Sequence, residues 1–208
     1  PRPLYGLDAL AARPEATVLL VEGEKCKDVG ADELADLVVV SWPGGSKAWQ
    51  KADWSLLGGA TVVLWPDCDA QREPLIRAER EQVRNDAAAM QVMQESKPLL
   101  PEAKQPGMRA MLGIGALLRD AHGCTVSLLP IPKPGEKASG WDCKDAIVDD
   151  GWTADDVLDF FARAKPLLPA AEPQKLDTPQ QPVATGGAED GGEWVLCGGR
   201  KVPGWLAW

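Results

Sequence analysis

Thr17-Val-Leu-Leu-Val-Glu22 decides the fold. It is a short, unbroken apolar run that ends in an acid, and Gly23 follows it. A continuous run of this length reads as a strand buried on both faces, the usual state of a parallel sheet under helices. Working outward, Leu37-Val-Val-Val-Ser41 repeats the pattern and stops at Trp42-Pro43-Gly44-Gly45. Thr61-Val-Val-Leu-Trp65 stops at Pro66-Asp67-Cys68-Asp69, and Cys124-Thr-Val-Ser-Leu-Leu129 stops at Pro130. The segments between these runs have helical composition: Glu24 to Ala35, a short turn over Ser46 to Asp53, and Gly107 to Ala121. Thr153 predicts the N-cap of a last helix, with acids in its first turn and an end near Ala164. The strands and helices alternate, which predicts an α/β fold: a mainly parallel, four-stranded sheet between helices, joined by right-handed crossovers.

Two regions break the alternation. Residues 71–105 are charged and rich in Ala and Gln, and read as a helix projecting after the third strand with a proline-interrupted return. Residues 165–193 have the proline and glycine content of a linker. The expected organisation is therefore a lead-in over 1–16, a domain over 17–164, the linker, and an apolar segment over 194–208. That last segment reads either as a strand completing the fold or as the start of another domain.

Composition narrows the chemistry. The chain has 208 residues, 22 Lys+Arg against 31 Asp+Glu, and a formal net charge of -9. Such an acid excess excludes holding nucleic acid by bulk positive charge alone. The five cysteines are scattered without a C-x-x-C pair and there is one histidine, His122, so neither a zinc site nor a disulfide framework is expected. A reducing, cytoplasmic setting is the expectation. No apolar run approaches the ~18–20 residues that span a bilayer, so no membrane partner is expected. The chain opens on Pro1 rather than Met, as expected of a piece of a longer polypeptide.

The candidate chemistry lies at strand ends. Glu22 closes the first strand, and Asp67 and Asp69 close the third. In an open α/β sheet, ligands bind at the carboxyl ends of the strands. Three carboxylates gathered there repel one another unless a cation neutralises them. Mg²⁺, with Mn²⁺ as a substitute, suits oxygen ligands and substrate phosphates. Gly23 allows close approach beside Glu22. Gly44-Gly45-Ser46-Lys47 lacks P-loop spacing, yet a helix starting at Ser46 can bind a phosphate through backbone N–H groups and Lys47, and Lys25 can assist. Among the tryptophans, Trp42 and Trp141 adjoin motifs and are candidates for base stacking, against a default of buried packing. Cys68, between two acids, is expected to have a raised pKa and not to act as a nucleophile.

Taken together and in order, these motifs resemble the Toprim domain of primases, topoisomerases and some nucleases. Val18-Leu-Leu-Val-Glu-Gly-Glu-Lys25 resembles its first motif and Leu64-Trp-Pro-Asp-Cys-Asp69 its D-x-D motif. Val40-Ser-Trp-Pro-Gly-Gly-Ser-Lys47 and Trp141-Asp-Cys-Lys-Asp-Ala146 are similar to motifs of the phage and mobile-element primase–helicase branch. The resemblance covers roughly residues 17–161. It implies a compact, Rossmann-like fold, Glu22 as catalytic acid or base, and Asp67 and Asp69 as metal ligands, with Asp145 adding a carboxylate and Lys144 facing a phosphate. The sequence departs from the family where D-x-D-x-x-G should continue into a helix. Gln105-Pro106-Gly107 looks like the delayed continuation, so residues 71–105 read as an insertion.

Three functions follow from the resemblance. The first is a Mg²⁺-dependent primase module, joining nucleotides on a single-stranded DNA template, with other domains of a larger replication protein, such as a helicase, as partners. The second is a nuclease with the same site. The third is a non-catalytic binding or assembly module. A topoisomerase needs a tyrosine nucleophile, and the chain's one tyrosine, Tyr5, lies outside the motifs.

Overall fold

The structure is a computed structural model that describes residues 1–168, apart from Ala35 and the side chain of Glu33, together with the backbone of 194–197 and 200–203. Two compact units divide at Pro169. The first is built on a sheet of strands β1 (Val18–Val21), β2 (Val38–Val40), β3 (Thr61–Trp65), β4 (Thr125–Leu128) and β5 (Lys165–Pro166). Their spatial order is β2-β1-β3-β4-β5; the first four are parallel, and β5 pairs antiparallel with β4. The sheet therefore has five strands where four were expected. Lys165–Pro166, expected to open the linker, instead edge the sheet, and Leu167 packs against the core.

The continuous apolar runs are explained by covering on both faces. Along β1, Val18 and Leu20 enter one core while Leu19 and Val21 enter the other, and all four are at most 1% exposed. Strand β3 divides the same way, with Val62 and Leu64 opposite Val63 and Trp65. Helices α1 (Leu7–Ala12) and α5 (Pro106–His122) cover the first face, through Leu10, Met111, Ile114 and Leu118. Helices α2 (Glu24–Glu33) and α6 (Ala154–Phe161) cover the second, through Cys26, Val157 and Phe160. Thr153 caps α6 as expected, in a reciprocal capping box with Asp156. The turn expected over Ser46 to Asp53 shortens to a 3-10 turn at Trp49–Lys51.

The lead-in belongs to the fold. Leu4 and Leu10 are buried, and Arg2 and Tyr5 bridge Ala52 and Ser41. Between β3 and α5 the chain makes an excursion holding two short helices rather than one, α3 (Arg77–Gln82) and α4 (Ala87–Glu95). Its two feet are tied together. Gln105, only 1% exposed, accepts from the Gln71 N–H at 2.9 Å and donates to the Gln71 and Leu100 carbonyls at 3.1 and 2.8 Å. The Leu100 N–H donates to the Gln71 carbonyl at 2.8 Å, closing the stem.

In the second unit, β6 (Trp194–Cys197) and β7 (Arg200–Pro203) form an antiparallel hairpin in its own two-stranded sheet. Residues 169–193 of the expected linker lie outside the described residues. Among the described residues, no helix is long and apolar enough to cross a membrane.

Candidate metal and phosphate site

The register of the sheet builds the acid site. Val21 and Trp65 are partners on the last rung of β1 and β3. Glu22 and Asp67 therefore emerge side by side at the carboxyl ends of neighbouring central strands. Asp69 completes the D-x-D turn, and its Oδ2 accepts the Gly107 N–H at 2.7 Å. The approach is close because Gly107 has no side chain: a Cβ there would sit 3.0 Å from the Asp67 carbonyl oxygen and 3.1 Å from its Cβ. Gly107 thus joins the D-x-D turn across the 71–105 excursion, at the point where the sequence placed the delayed continuation.

The glycine loop closes the other side. The Ser46 N–H donates to Glu22 Oε1 at 2.5 Å. Gly45, at φ 68°, has its missing Cβ 3.3 Å from the same oxygen, so both the turn and the carboxylate favour glycine there. Trp42 holds this loop in shape from below: its indole N–H donates to the Gly45 carbonyl at 2.9 Å.

A third wall comes from residues 138–145. The Cys68 N–H donates to the Trp141 carbonyl at 2.7 Å, and the Gly140 N–H donates to the Cys68 carbonyl at 2.9 Å. This pairing zips the Trp141–Lys144 segment onto the D-x-D turn. It brings in Asp142, which sequence reasoning passed over in favour of Asp145. Burial acts first to raise the Asp67 pKa; the carboxylates that push it further are, strongest first, Glu22, Asp142, Asp69 and Asp145. Asp142 also accepts the Asp145 N–H at 3.0 Å and lies against the Cys26 thiol, whose pKa burial and then Asp142 raise. The one signal that could have found Asp142 was its place directly after the residue that pairs with Cys68, and that pairing is long-range.

The electrostatics are those of a crowded acid cluster. Asp67 is pushed up to about 9. Glu22 is raised as well, by burial first, against the lowering effect of the Ser46 N–H. Glu22 Oε2 and Asp67 Oδ1 are buried and have no hydrogen-bond partner. An unpartnered buried carboxylate oxygen is costly, and two of them in one like-charged cluster suit a divalent cation. Among the described residues, no group of three or more His, Cys, Asp or Glu side chains stands where it could hold a metal ion. What the chain offers is two neighbouring carboxylate oxygens without partners.

No family model, curated protein or solved structure matches the chain.

The remaining candidates divide. Gly23, at φ 86°, starts α2, and Lys25 is exposed in its first turn. Gly44, Gly45 and Lys47 lie on the loop that meets Glu22. Lys144 is committed elsewhere, to Asp149 at 3.1 Å and Asp145 at 3.3 Å, an engagement that raises its pKa. Both tryptophan candidates for base stacking are corrected. Trp42 is fully buried, packed 5.9 Å from Trp54. Trp141 is 3% exposed among Trp65 and Trp152, with its indole N–H on Asp150 at 2.8 Å. Proximity to a motif reflects support from beneath here, not an open stacking face. Cys68 has a raised pKa as expected, but burial is the leading cause and the acids come second.

Proposed function

We propose that this chain is a Toprim-type module performing Mg²⁺-dependent phosphoryl transfer on nucleic acid, of the primase kind. The observation that carries the reading is the pair of buried, unpartnered oxygens of Glu22 and Asp67, side by side on adjacent central strand ends. Asp67 and Asp69, with Glu22 in reach, would hold the cation, and Asp142 acts more strongly on Asp67 than Asp145 does. When bound, Mg²⁺ supplies charge neutralisation for the transferring phosphate and orients it.

The chain's own residues do the rest. Ser46 fixes Glu22 through Oε1, leaving Oε2 to accept a proton from an attacking hydroxyl. Burial raises the Glu22 pKa, which strengthens it as a base at neutral pH. Gly107 fixes the Asp69 carboxylate and lets α5 press against the D-x-D turn. Positioning of this kind, with little covalent chemistry from the protein, is what phosphoryl transfer requires.

The test is primer synthesis on a single-stranded template with Mg²⁺ and nucleotides, comparing the parent with Glu22→Gln. Activity in the parent and its loss in the variant supports the reading. Template degradation without synthesis points to the nuclease reading, and undiminished synthesis by Glu22→Gln removes Glu22 from the chemistry.

A further inference from the structure

Beside the acid site lies an open cleft of about 550 Å³, between the 46–50 loop and the first turns of α5. It shares two walls with that site. Ser46 lines it and holds Glu22; Pro106 lines it and precedes the Gly107 that holds Asp69. Its charged lining side chains are Lys47 and Arg109, with no acid among the lining residues. Both are exposed, and neither makes an ion pair or side-chain hydrogen bond among the described residues. In a chain of net charge -9, two uncompensated cations in one cleft are a local reversal of sign.

The remaining lining suits a nucleotide unit. The half-buried Trp49 rests on the α5 backbone at Gly113, where a Cβ would come within 2.7 Å of its ring. Gln71, exposed at the foot of the excursion, also lines the cleft. Cations for phosphate, an aromatic ring and a neutral amide are the elements of single-strand recognition.

We propose that this cleft is the track of a nucleic-acid single strand, with Lys47 and Arg109 neutralising successive phosphates and Trp49 contacting a base as the strand enters the acid site. It rests on the phosphoryl-transfer reading for its direction but not for its binding. Arg109 and Trp49 are the positions it adds. Lys47, taken from the sequence as a phosphate ligand of the glycine loop, becomes one wall of a cleft whose other cation comes from α5.

The experiment is fluorescence anisotropy with labelled oligothymidylate, over a series of salt concentrations, in Mg²⁺ and separately in EDTA. The variants are Lys47→Ala/Arg109→Ala, Trp49→Phe, and a charge-matched control, Arg77→Ala/Lys165→Ala, whose side chains are exposed away from the acid site. The expected result is a loss of about tenfold or more in the first variant under both conditions. Its log-affinity against log-salt slope should flatten by about 1.4, two single-strand phosphate contacts at about 0.7 each. Trp49→Phe should weaken binding with the slope unchanged. The proposal is overturned if affinity and slope stay as in the parent, or if the control pair loses as much. A Mg²⁺ effect absent in every protein, with the Lys47/Arg109 loss intact, would count against the metal reading and leave the cleft standing.

Discussion

Replacing Asp67 with asparagine removes one charge from the most crowded point of the molecule while keeping its shape. The Asp67 carboxyl titrates at about 9 in the fold against 3.8 as an ordinary aspartate. The cation-free fold therefore holds a proton that the unfolded chain releases. Such a group's contribution is fully present below about pH 4 and is lost as pH rises toward about 9. At about 1.36 kcal/mol per pH unit, the penalty at pH 7 reaches at most about 4 kcal/mol. Relaxation and water entry bring the expected value to about 1–3 kcal/mol. Asp67→Asn has no proton to lose at this position. Its amide can also donate to the free Glu22 Oε2, which lacks a partner in the parent. Urea unfolding in EDTA at pH 5 and pH 8 reads the effect. The variant should be somewhat more stable than the parent at pH 5, and its advantage should grow by about 1–3 kcal/mol at pH 8. Adding Mg²⁺ at pH 8 should close the gap by stabilising the parent alone. Equal stabilities at both pH values, or a variant less stable at pH 8, would refute the acid-cluster reasoning.

Three further outcomes are expected. Binding of Mg²⁺ or Mn²⁺ at pH 7 should release about one proton per ion, since Asp67 must ionise to ligate; calorimetry in buffers of different ionisation enthalpy measures it, and no buffer dependence would contradict it. Gly107→Ala places a methyl 3.0–3.2 Å from Asp67 backbone and Cβ atoms, so it should cost about 1–3 kcal/mol and weaken Mn²⁺ affinity, read by urea unfolding and Mn²⁺ titration. Gln105→Ala leaves the buried feet of the excursion unpaired, costing about 1–3 kcal/mol; limited proteolysis should then cut faster within residues 72–104, with the sheet core still protected.

The sequence carried the parts of the fold that depend on short-range pattern. Uninterrupted runs such as Val18–Val21 and Thr61–Trp65 announced buried parallel strands because each alternate residue faces a different core. Thr153 announced its helix because a cap and its partner lie three residues apart. Strand β5 was not legible: two residues containing a proline carry no strand signal, and their pairing is with β4, far back in the chain. The lead-in was missed for a related reason, since Leu4 and Leu10 are buried only once residues 41–57 are in place. At the candidate site, Glu22, Asp67 and Asp69 could be read because strand ends are local features. The contribution of Asp142 and the burial of Trp42 and Trp141 could not, because each follows from a loop folding onto another loop.

The central proposal is that Asp67 and Asp69 would hold one divalent cation with Glu22 in reach. Anomalous diffraction from crystals soaked in Mn²⁺ tests it most directly. A single anomalous peak about 2.0–2.3 Å from Asp67 Oδ1 and beside Glu22, lost in Asp67→Asn crystals soaked identically, is the expected result. Crystals of the parent with no peak between these carboxylates, or a peak that persists unchanged in Asp67→Asn, would contradict it.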